Sequence, residues 1–274
     1  MSIAIILPAR LASTRLPNKL LLDRTGKTVL EHTIERAKEA RAAYPGLFTA
    51  IRVACDDERL IVAAKRAGVD AVLTRPDHQS GTDRIAEAAQ GLREEIIVNL
   101  QADEPEIAPG YIYAVARPFT HTDKEFPGIG KIGMFTLATY IFDEATLHKP
   151  NVVKVVLNRQ GQALYFSRAP IPYPRDGCQN SPIKWKGETP VYGYHHIGIY
   201  AYRRDFLMAF VRLGQSVNEQ IEKLEQLRAL DNGYSIGVSL VDKHVPGIDT
   251  LADYEAFVAR RAAGRSPGVQ KGKS

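Results

Sequence analysis

Two rhythms of apolar positions alternate along the first hundred residues. "IAIILP" (3–8), "AIRVAC" (50–55), "AVLT" (71–74) and "EIIVNL" (95–100) are short, nearly continuous apolar runs. That is the pattern of strands buried on both faces. Between them, "TVLEHTIERAKEA" (28–40), "DERLIVAAKRAG" (57–68) and "GTDRIAEAAQGL" (81–92) space their apolar residues as helices do. Val29, Leu30, Thr33, Ile34 and Ala37 share one face of the first. The second carries acids in its first turn and Gly68 at its end, as helix electrostatics and capping prefer. Strand and helix in alternation predict an α/β fold, a mostly parallel central sheet with helices on both faces.

The rhythm changes after residue 130. "IGMFTLATYIF" (132–142), "NVVKVVLN" (151–158), "ALYFS" (163–167) and "HIGIYAY" (196–202) read as longer strands, some of them antiparallel. "SVNEQIEKLEQLRALDNG" (216–233) reads as one helix ended by Gly233, "SIGVSLV" (235–241) as a last strand, and "LADYEAFVARRAA" (251–263) as a last helix. Residues 175–194 show no periodicity and read as a loop on the surface or at an interface. No internal repeat is present. The expectation is a single domain over 1–263, with a smaller mixed sheet region in 131–263, and a disordered basic tail over 264–274 rich in Gly, Ser and Lys.

In an open parallel sheet the ligand lies beyond the carboxyl ends of the strands. Four polar segments follow those ends here: "ARLASTR", "CDDE", "TRPDHQSGTDR" and "QADEP". The first belongs to "PARLASTRLPNK" (8–19), which holds Arg10, Arg15 and Lys19 and no acid. Small residues after a strand offer backbone N–H groups to an anion, and the three cations suit a triphosphate. A solvated basic loop pairing with nearby carboxylates reads the same residues equally well, since no established phosphate-loop fingerprint is matched. Asp103, at the end of the fourth strand, could hold a hard cation through oxygen. By local sequence, Asp103 and Glu104 more simply cap the turn before Pro105. Asp249 precedes a helix and by the same local logic reads as its N-cap. Ser80 or Thr82 would cap the helix that begins in "HQSGTDR", and Gly81 would let the chain pass close to a ligand.

Composition narrows the class. Of 274 residues, 45% are hydrophobic and 24% charged, as in a soluble globular protein. No apolar run approaches the length of a membrane span, and the N-terminus lacks a signal-peptide pattern, so a cytoplasmic protein is expected. The net charge of +5 owes much to the tail, which carries Arg265, Lys271 and Lys273 and no acid. A nucleic-acid-binding module would show an aromatic-studded basic surface instead. Cys55 and Cys178 suggest no disulfide; Cys55 reads as a small buried residue. His195 and His196 lack further His or Cys at ligand spacing, which argues against a metal there.

"PARLASTRLPNK" resembles the signature "PAR-x-x-S-x-R-x-P-x-K" of sugar nucleotidyltransferases. With "DHQSGTDR", "IIVNLQADEP", "NVVKVVLN", "ALYFSRAPIP", "HIGIYAYRRDF", "LEQLRAL" and "GIDTLADYE" in the same order, the chain is similar to the cytidylyltransferases that activate 3-deoxy-D-manno-octulosonate (Kdo). The resemblance spans residues 3 to about 257 and implies a nucleotide-diphospho-sugar transferase-like, Rossmann-like fold. It implies CTP and Kdo as substrates, CMP-Kdo and pyrophosphate as products for lipopolysaccharide biosynthesis, Mg²⁺ as cofactor, and a homodimer. Residues 1–130 would mainly bind CTP; residues 131–263 would mainly bind the sugar and make the dimer contact, with 130–200 as the interface.

By resemblance, the CTP contacts are Ala9, Arg10, Ser13, Arg15, Lys19, Gln79, Ser80, Gly81 and Asp103, of which Arg10, Arg15, Lys19 and Asp103 carry the chemistry. Asp103 and Asp249 would hold Mg²⁺. Gln101, Arg168, His196, Tyr200, Glu225 and Gln226 would hold Kdo; by local sequence alone His196 and Tyr200 read as ordinary sheet positions, and Glu225 and Gln226 as an exposed helix face. The chain departs from the family at Ala102, where Gly is usual, at Leu251, where Pro is usual, and at Cys55, often Thr. Another sugar acid, sialic acid or 8-amino-Kdo, or a nucleotide-binding protein without activity, remain alternative readings.

Overall fold

The computed structural model describes residues 1–121, 128–181, 183–185, 189–243 and 247–264. These divide into two compact units, one built from residues 1–113 and 247–264, the other from the described part of 114–243. The division thus falls near 113 rather than 130, and the C-terminal helix returns to the first unit. Most of the basic tail, 265–274, lies outside the described residues.

The first unit holds β1 (Ile3–Ala9), α1 (Val29–Ala43), β2 (Phe48–Cys55), α2 (Glu58–Arg66), β3 (Asp70–Leu73), α3 (Gly81–Ala89) and β4 (Ile96–Asn99). The strands are parallel in the order β3-β2-β1-β4. Ile3, Ile5, Ile6 and Leu7 of β1 and Ile96, Ile97 and Val98 of β4 are fully buried. Their continuous apolar sequence is what a sheet covered on both faces requires. Chain order reverses at β1, whose neighbours are β2 on one side and β4 on the other. The carboxyl ends of β1 and β4 therefore flank a topological switch point, where such sheets leave a crevice.

The helices begin as the sequence suggests. Thr28 accepts a hydrogen bond from the Glu31 N–H while the Glu31 carboxylate accepts one from Thr28, a complete capping box at the start of α1. Asp57 caps α2, and Gly68, at φ +73°, takes the left-handed turn after it. Arg66 then reaches from the end of α2 to Glu31 with both Nε and Nη2, at 2.5 and 2.8 Å, fastening the two helices together.

The chain next forms α4 (Pro109–Ala116), then β5 (Met134–Ile141), α5 (Glu144–Leu147), β6 (Lys154–Leu157), β7 (Ala163–Ser167), β8 (Lys184–Trp185), β9 (Thr189–Pro190), β10 (Gly193–Arg203), α6 (Arg204–Phe210), α7 (Val217–Glu222), α8 (Leu227–Asp231) and β11 (Ile236–Leu240). In the second unit β5 pairs antiparallel with β10 and parallel with β11, and β10 pairs antiparallel with β6, which pairs with β7. This is the mixed sheet expected after residue 130. Segment 175–194, read from sequence as a loop, contains the short β8–β9 ladder.

The single helix expected over 216–233 is two. Lys223 adopts the left-handed conformation (φ 54°) and separates α7 from α8. The cause is a buried ion pair. Arg228 holds both oxygens of Glu219, at 2.8 and 2.5 Å. Nine residues span about two and a half helical turns, so an unbroken helix would point these side chains apart. The break folds Arg228 back onto Glu219 and buries Leu224 and Leu227. The last helix, α9 (Leu251–Ala262), packs in the first unit, with Phe257 edge-on to His32 of α1 at 5.2 Å.

Burial alone would push the Glu31 carboxylate up, but the Arg66 fork and the two Thr28 bonds outweigh it and hold it at about 2 against an ordinary 4.5. A depressed acid stabilises above its unfolded value and ceases to do so as pH falls toward its folded one. Glu31→Gln should therefore cost about 1 kcal/mol near pH 7, discounted for the exposed Arg66 partner. The difference from wild type should shrink between pH 4.5 and about 2. Thermal unfolding across that range checks it; a difference that stays constant with pH would contradict the assignment.

Candidate active site

The opening loop leaves β1 and is pinned by two apolar anchors, Leu16 and Leu20, exposed by only 8% and 3%. Asn18 turns the chain in the left-handed region (φ 54°) before a short 3₁₀ turn at Lys19–Leu21. Asn tolerates that conformation better than most residues. With the leucines inside, the polar side chains face a cleft of about 280 Å³ in the first unit. Arg10, Ser13, Arg15 and Lys19 line it from this loop, Gln79, Ser80 and Gly81 from the entry to α3, and Gln101, Asp103 and Asp249 from two further segments. Ala9 is buried inside β1 and is not among the lining residues.

Lys19 is the centre of this arrangement. Its ammonium donates to the Asp103 carboxylate, to the Ile248 carbonyl at 2.9 Å and to Asp249 Oδ1 at 3.2 Å. Burial pulls an ammonium pKa down, yet Asp103 and then Asp249 outweigh it, so Lys19 lies above its ordinary value and is charged. Arg15 Nη2 meets Asp249 Oδ1 at 3.0 Å. Arg15 and Asp249 are 64% and 49% exposed, Lys19 only 13%, so the Lys19 contacts are the less screened and the stronger.

The two acids come from segments about 145 residues apart in the chain, and specific contacts hold those segments together. The Ile248 N–H donates to the Asp103 carbonyl at 2.9 Å. Gly247 lies so close that a Cβ there would sit 2.9 Å from that carbonyl and 3.1 Å from Glu104 Oε1. On α9, Arg260 grips the buried Glu106 through Nε and Nη2. Ala102 is buried at the edge of the cleft, and its carbonyl accepts the Thr33 hydroxyl at 2.9 Å.

The geometry separates the local readings. The N-cap of α9 is Thr250, in a capping box with Asp253, which leaves the Asp249 carboxylate to Arg15 and Lys19. The Asp103 carboxylate likewise reaches Lys19 instead of capping its own turn. Ser80 caps α3, accepting from the Asp83 N–H at 3.1 Å, while still lining the cleft, so its two readings coexist. Gly81 has a negative φ, and a Cβ there would make only ordinary contact with Pro8 at 3.5 Å. Glu104 Oε2 is buried with no hydrogen-bond partner among the described residues; burial, then Asp103 and Asp249, push this acid up to about 8.

Of the residues assigned to the sugar, Gln101 lines the cleft and donates to Asn99 Oδ1 at 3.1 Å. The others belong to the second unit. There, a bulge in β10 between Ile197 and Tyr200 is filled by Thr136, whose hydroxyl meets the Ile197 and Ile199 carbonyls and His196 Nε2 at 2.8–3.0 Å. His196 and Tyr200 lie 5.5 Å apart. The Tyr200 hydroxyl donates to Gln226 Oε1 at 3.3 Å; burial and then Glu225 raise its pKa. Gln226 Nε2 is buried without a partner among the described residues, a donor available to a polar ligand. Glu225 and Gln226 sit in the break between α7 and α8 and not on an exposed helix face. Arg168 is anchored by Nε on the Glu222 carbonyl at 2.7 Å and by Nη1 on the Pro150 carbonyl at 3.1 Å. His195 and His196 are consecutive on a strand, so their side chains face opposite ways and share no ion.

A family model for cytidylyltransferases matches residues 4–236. A 3-deoxy-manno-octulosonate cytidylyltransferase from Rhodopirellula baltica is 45% identical over 263 residues, covering 95% of this chain and 98% of that protein. The chain belongs to the 3-deoxy-manno-octulosonate cytidylyltransferase family. A further member, from Polynucleobacter asymbioticus, is 45% identical over 92% of each chain. The solved structure of a CMP:2-keto-3-deoxy-manno-octonic acid synthetase complexed with CTP superposes with a TM-score of 0.82 at 38% identity, covering 96% of this chain and all of that one.

Four positions of this cytidylyltransferase escaped the sequence reading. His78 and Arg84 line the cleft and lie within the quoted "DHQSGTDR", so only their direction was hidden. Gly247 and Glu106 act through contacts with distant segments, which no local pattern marks. Asp249→Asn should lower turnover strongly while leaving the melting temperature nearly unchanged. Thr250→Ala should do the reverse, costing about 1 kcal/mol of stability through the lost cap. Paired activity and unfolding measurements check both; a stability loss in Asp249→Asn would return Asp249 to a capping role. Gly247→Ala should reduce activity, since its methyl pushes Ile248 and Asp249 away from Asp103; full activity would show that the close approach does not matter.

Proposed function

We propose that this protein activates Kdo with CTP, releasing pyrophosphate and forming CMP-Kdo for lipopolysaccharide biosynthesis. The observation that carries the reading is the convergence of Lys19 on Asp103 and Asp249 in a chain that is 45% identical to a Kdo cytidylyltransferase over nearly its whole length. The anomeric hydroxyl of Kdo attacks the α-phosphorus, the bond from that phosphorus to the bridging oxygen breaks, and the hydroxyl proton is released. Such chemistry depends on positioning and charge neutralisation more than on any covalent intermediate. Cys55 fits that account, being fully buried with its thiol pushed up to about 12, first by burial and then by Asp56.

Each group has work consistent with its place. Arg10, Arg15 and Lys19 neutralise the β- and γ-phosphates, whose charge grows as pyrophosphate departs. Ser13 and the backbone of the opening loop add hydrogen bonds. Gln79, Ser80 and Gly81 form the wall for ribose and cytosine. Gln101, Arg168, His196, Tyr200, Glu225 and Gln226 supply the cation, donors and acceptors that a polyhydroxy acid needs.

Mg²⁺ is the cofactor in this reading. Among the described residues no group of three or more His, Cys, Asp or Glu side chains could hold a metal by itself. Mg²⁺, however, is usually held by one or two carboxylates together with substrate phosphates and water, and two carboxylates facing a common cation, Lys19, fit that donor set. Bound there by Asp103 and Asp249, the ion would supply charge neutralisation at the α-phosphate and acidify the attacking hydroxyl.

The chain is proposed to act as a cytoplasmic homodimer. No helix among the described residues is long and apolar enough to cross a membrane. An apolar groove of about 300 Å³ in the second unit, lined in part by Pro172, Tyr173, Val191 and Tyr192, supports a contact between copies.

With CTP and Mg²⁺, Kdo should give pyrophosphate, and 8-amino-Kdo and sialic acid much less. Chelation with EDTA should stop release and added Mg²⁺ should restore it. Asp103→Asn should lower kcat by at least about a hundredfold while sparing the fold. Absence of pyrophosphate with every sugar would overturn the reading, and a preference for another sugar acid would reassign the substrate.

A further inference from the structure

Arg84 is one of the largest fully buried side chains among the described residues, at 2% exposure, although it lies against a cleft that faces solvent. Its guanidinium donates through Nη1 to the Thr74 hydroxyl and through Nη2 to Asp56 Oδ2 at 3.4 Å. Thr74 is in turn bound to the Cys55 carbonyl by its N–H at 2.7 Å and its hydroxyl at 2.8 Å. The second oxygen of Asp56, Oδ1, accepts the backbone N–H of Leu11 at 2.9 Å. One chain of contacts thus joins the start of α3, the ends of β2 and β3, and the beginning of the opening loop. Neither Asp56 nor Leu11 lines the cleft.

We propose that the Asp56–Arg84 pair is a positioning device for the opening loop: Asp56, which does not line the cleft, fixes the loop's first turn, and so the aim of its cations, while Arg84 at the cleft's edge holds Asp56 in place. The inference rests on the reading that the cleft takes CTP. A loop that binds an anion through several N–H groups can slide among registers unless one of them is committed elsewhere. The Leu11 N–H is committed to Asp56, which sets where Arg10, Ser13 and Arg15 begin. A bare carboxylate beside a triphosphate would repel it. Arg84 neutralises Asp56 from the protein side, so the loop gains an anchor without adding net negative charge to the site. Arg84 also belongs to the same helix whose N-terminus carries Ser80 and Gly81. The base wall and the phosphate loop are therefore held in one frame.

Asp56→Ala and Asp56→Asn in the full-length protein test this. Without ligand, hydrogen exchange at Leu11 and its neighbours should quicken by about tenfold or more in Asp56→Ala. The KM for CTP should rise by about tenfold, with the KM for Kdo and kcat within about twofold. Asp56→Asn, whose side-chain oxygen still accepts the Leu11 N–H, should recover most of both effects. Should Asp56→Ala fail to fold, Asp56→Glu keeps the charge opposite Arg84 but displaces the acceptor, and should raise the KM for CTP severalfold alone. Unchanged loop exchange in Asp56→Ala, or a lowered melting temperature with the KM for CTP intact in every variant that folds, would reduce the pair to a structural staple and overturn the proposal. If wild-type protein neither binds CTP nor releases pyrophosphate, the nucleotide reading fails instead, and the ligand-free exchange still decides whether Asp56 orders the loop.

Discussion

A single ammonium, that of Lys19, carries the organisation of the cleft in the first unit. It is mostly buried and charged, and it binds two carboxylates and a carbonyl from segments far apart in the chain. A buried charge persists only where such partners surround it. That requirement links the opening loop, the end of β4 and the approach to α9 into one constraint. The carboxylates need the cation as much as it needs them. Asp103 and Asp249 close together would repel one another without a cation between them.

The surroundings are built so that this cluster cannot drift. The switch point between β1 and β4 provides the crevice. The Leu16 and Leu20 anchors turn the opening loop's polar face toward it. Arg260 on Glu106 and the close approach of Gly247 hold the two acid-bearing segments against each other. The same economy holds in the second unit, where a bulge plugged by Thr136 and a helix broken for the Glu219–Arg228 pair place His196, Tyr200 and Gln226. In the second unit each local departure from regular structure is accompanied by a buried polar contact.

Local signals in the sequence carried the elements well. Continuous apolar runs marked β1 and β4, since residues covered on both sides must be apolar throughout. Ser80 marked the start of α3, because an unpaired N–H needs an acceptor within a few residues. The reading erred where a distant partner outweighed local preference. Residues 216–233 carry one helical pattern, yet Arg228 must return to Glu219, and a straight helix forbids it.

What the sequence determined alone was the alternation of strands and helices, the polar ends of the parallel strands, and the motifs that name the family, all of which depend on neighbours within a few positions. Tertiary structure alone decided that Asp249 leaves the cap to Thr250, that Lys19 joins Asp103 to Asp249, that His78 and Arg84 border the cleft, and that Asp56 holds Leu11. Those outcomes depend on electrostatic and steric fit between residues tens to hundreds of positions apart. Such fit becomes defined only when the sheet order brings their strand ends together.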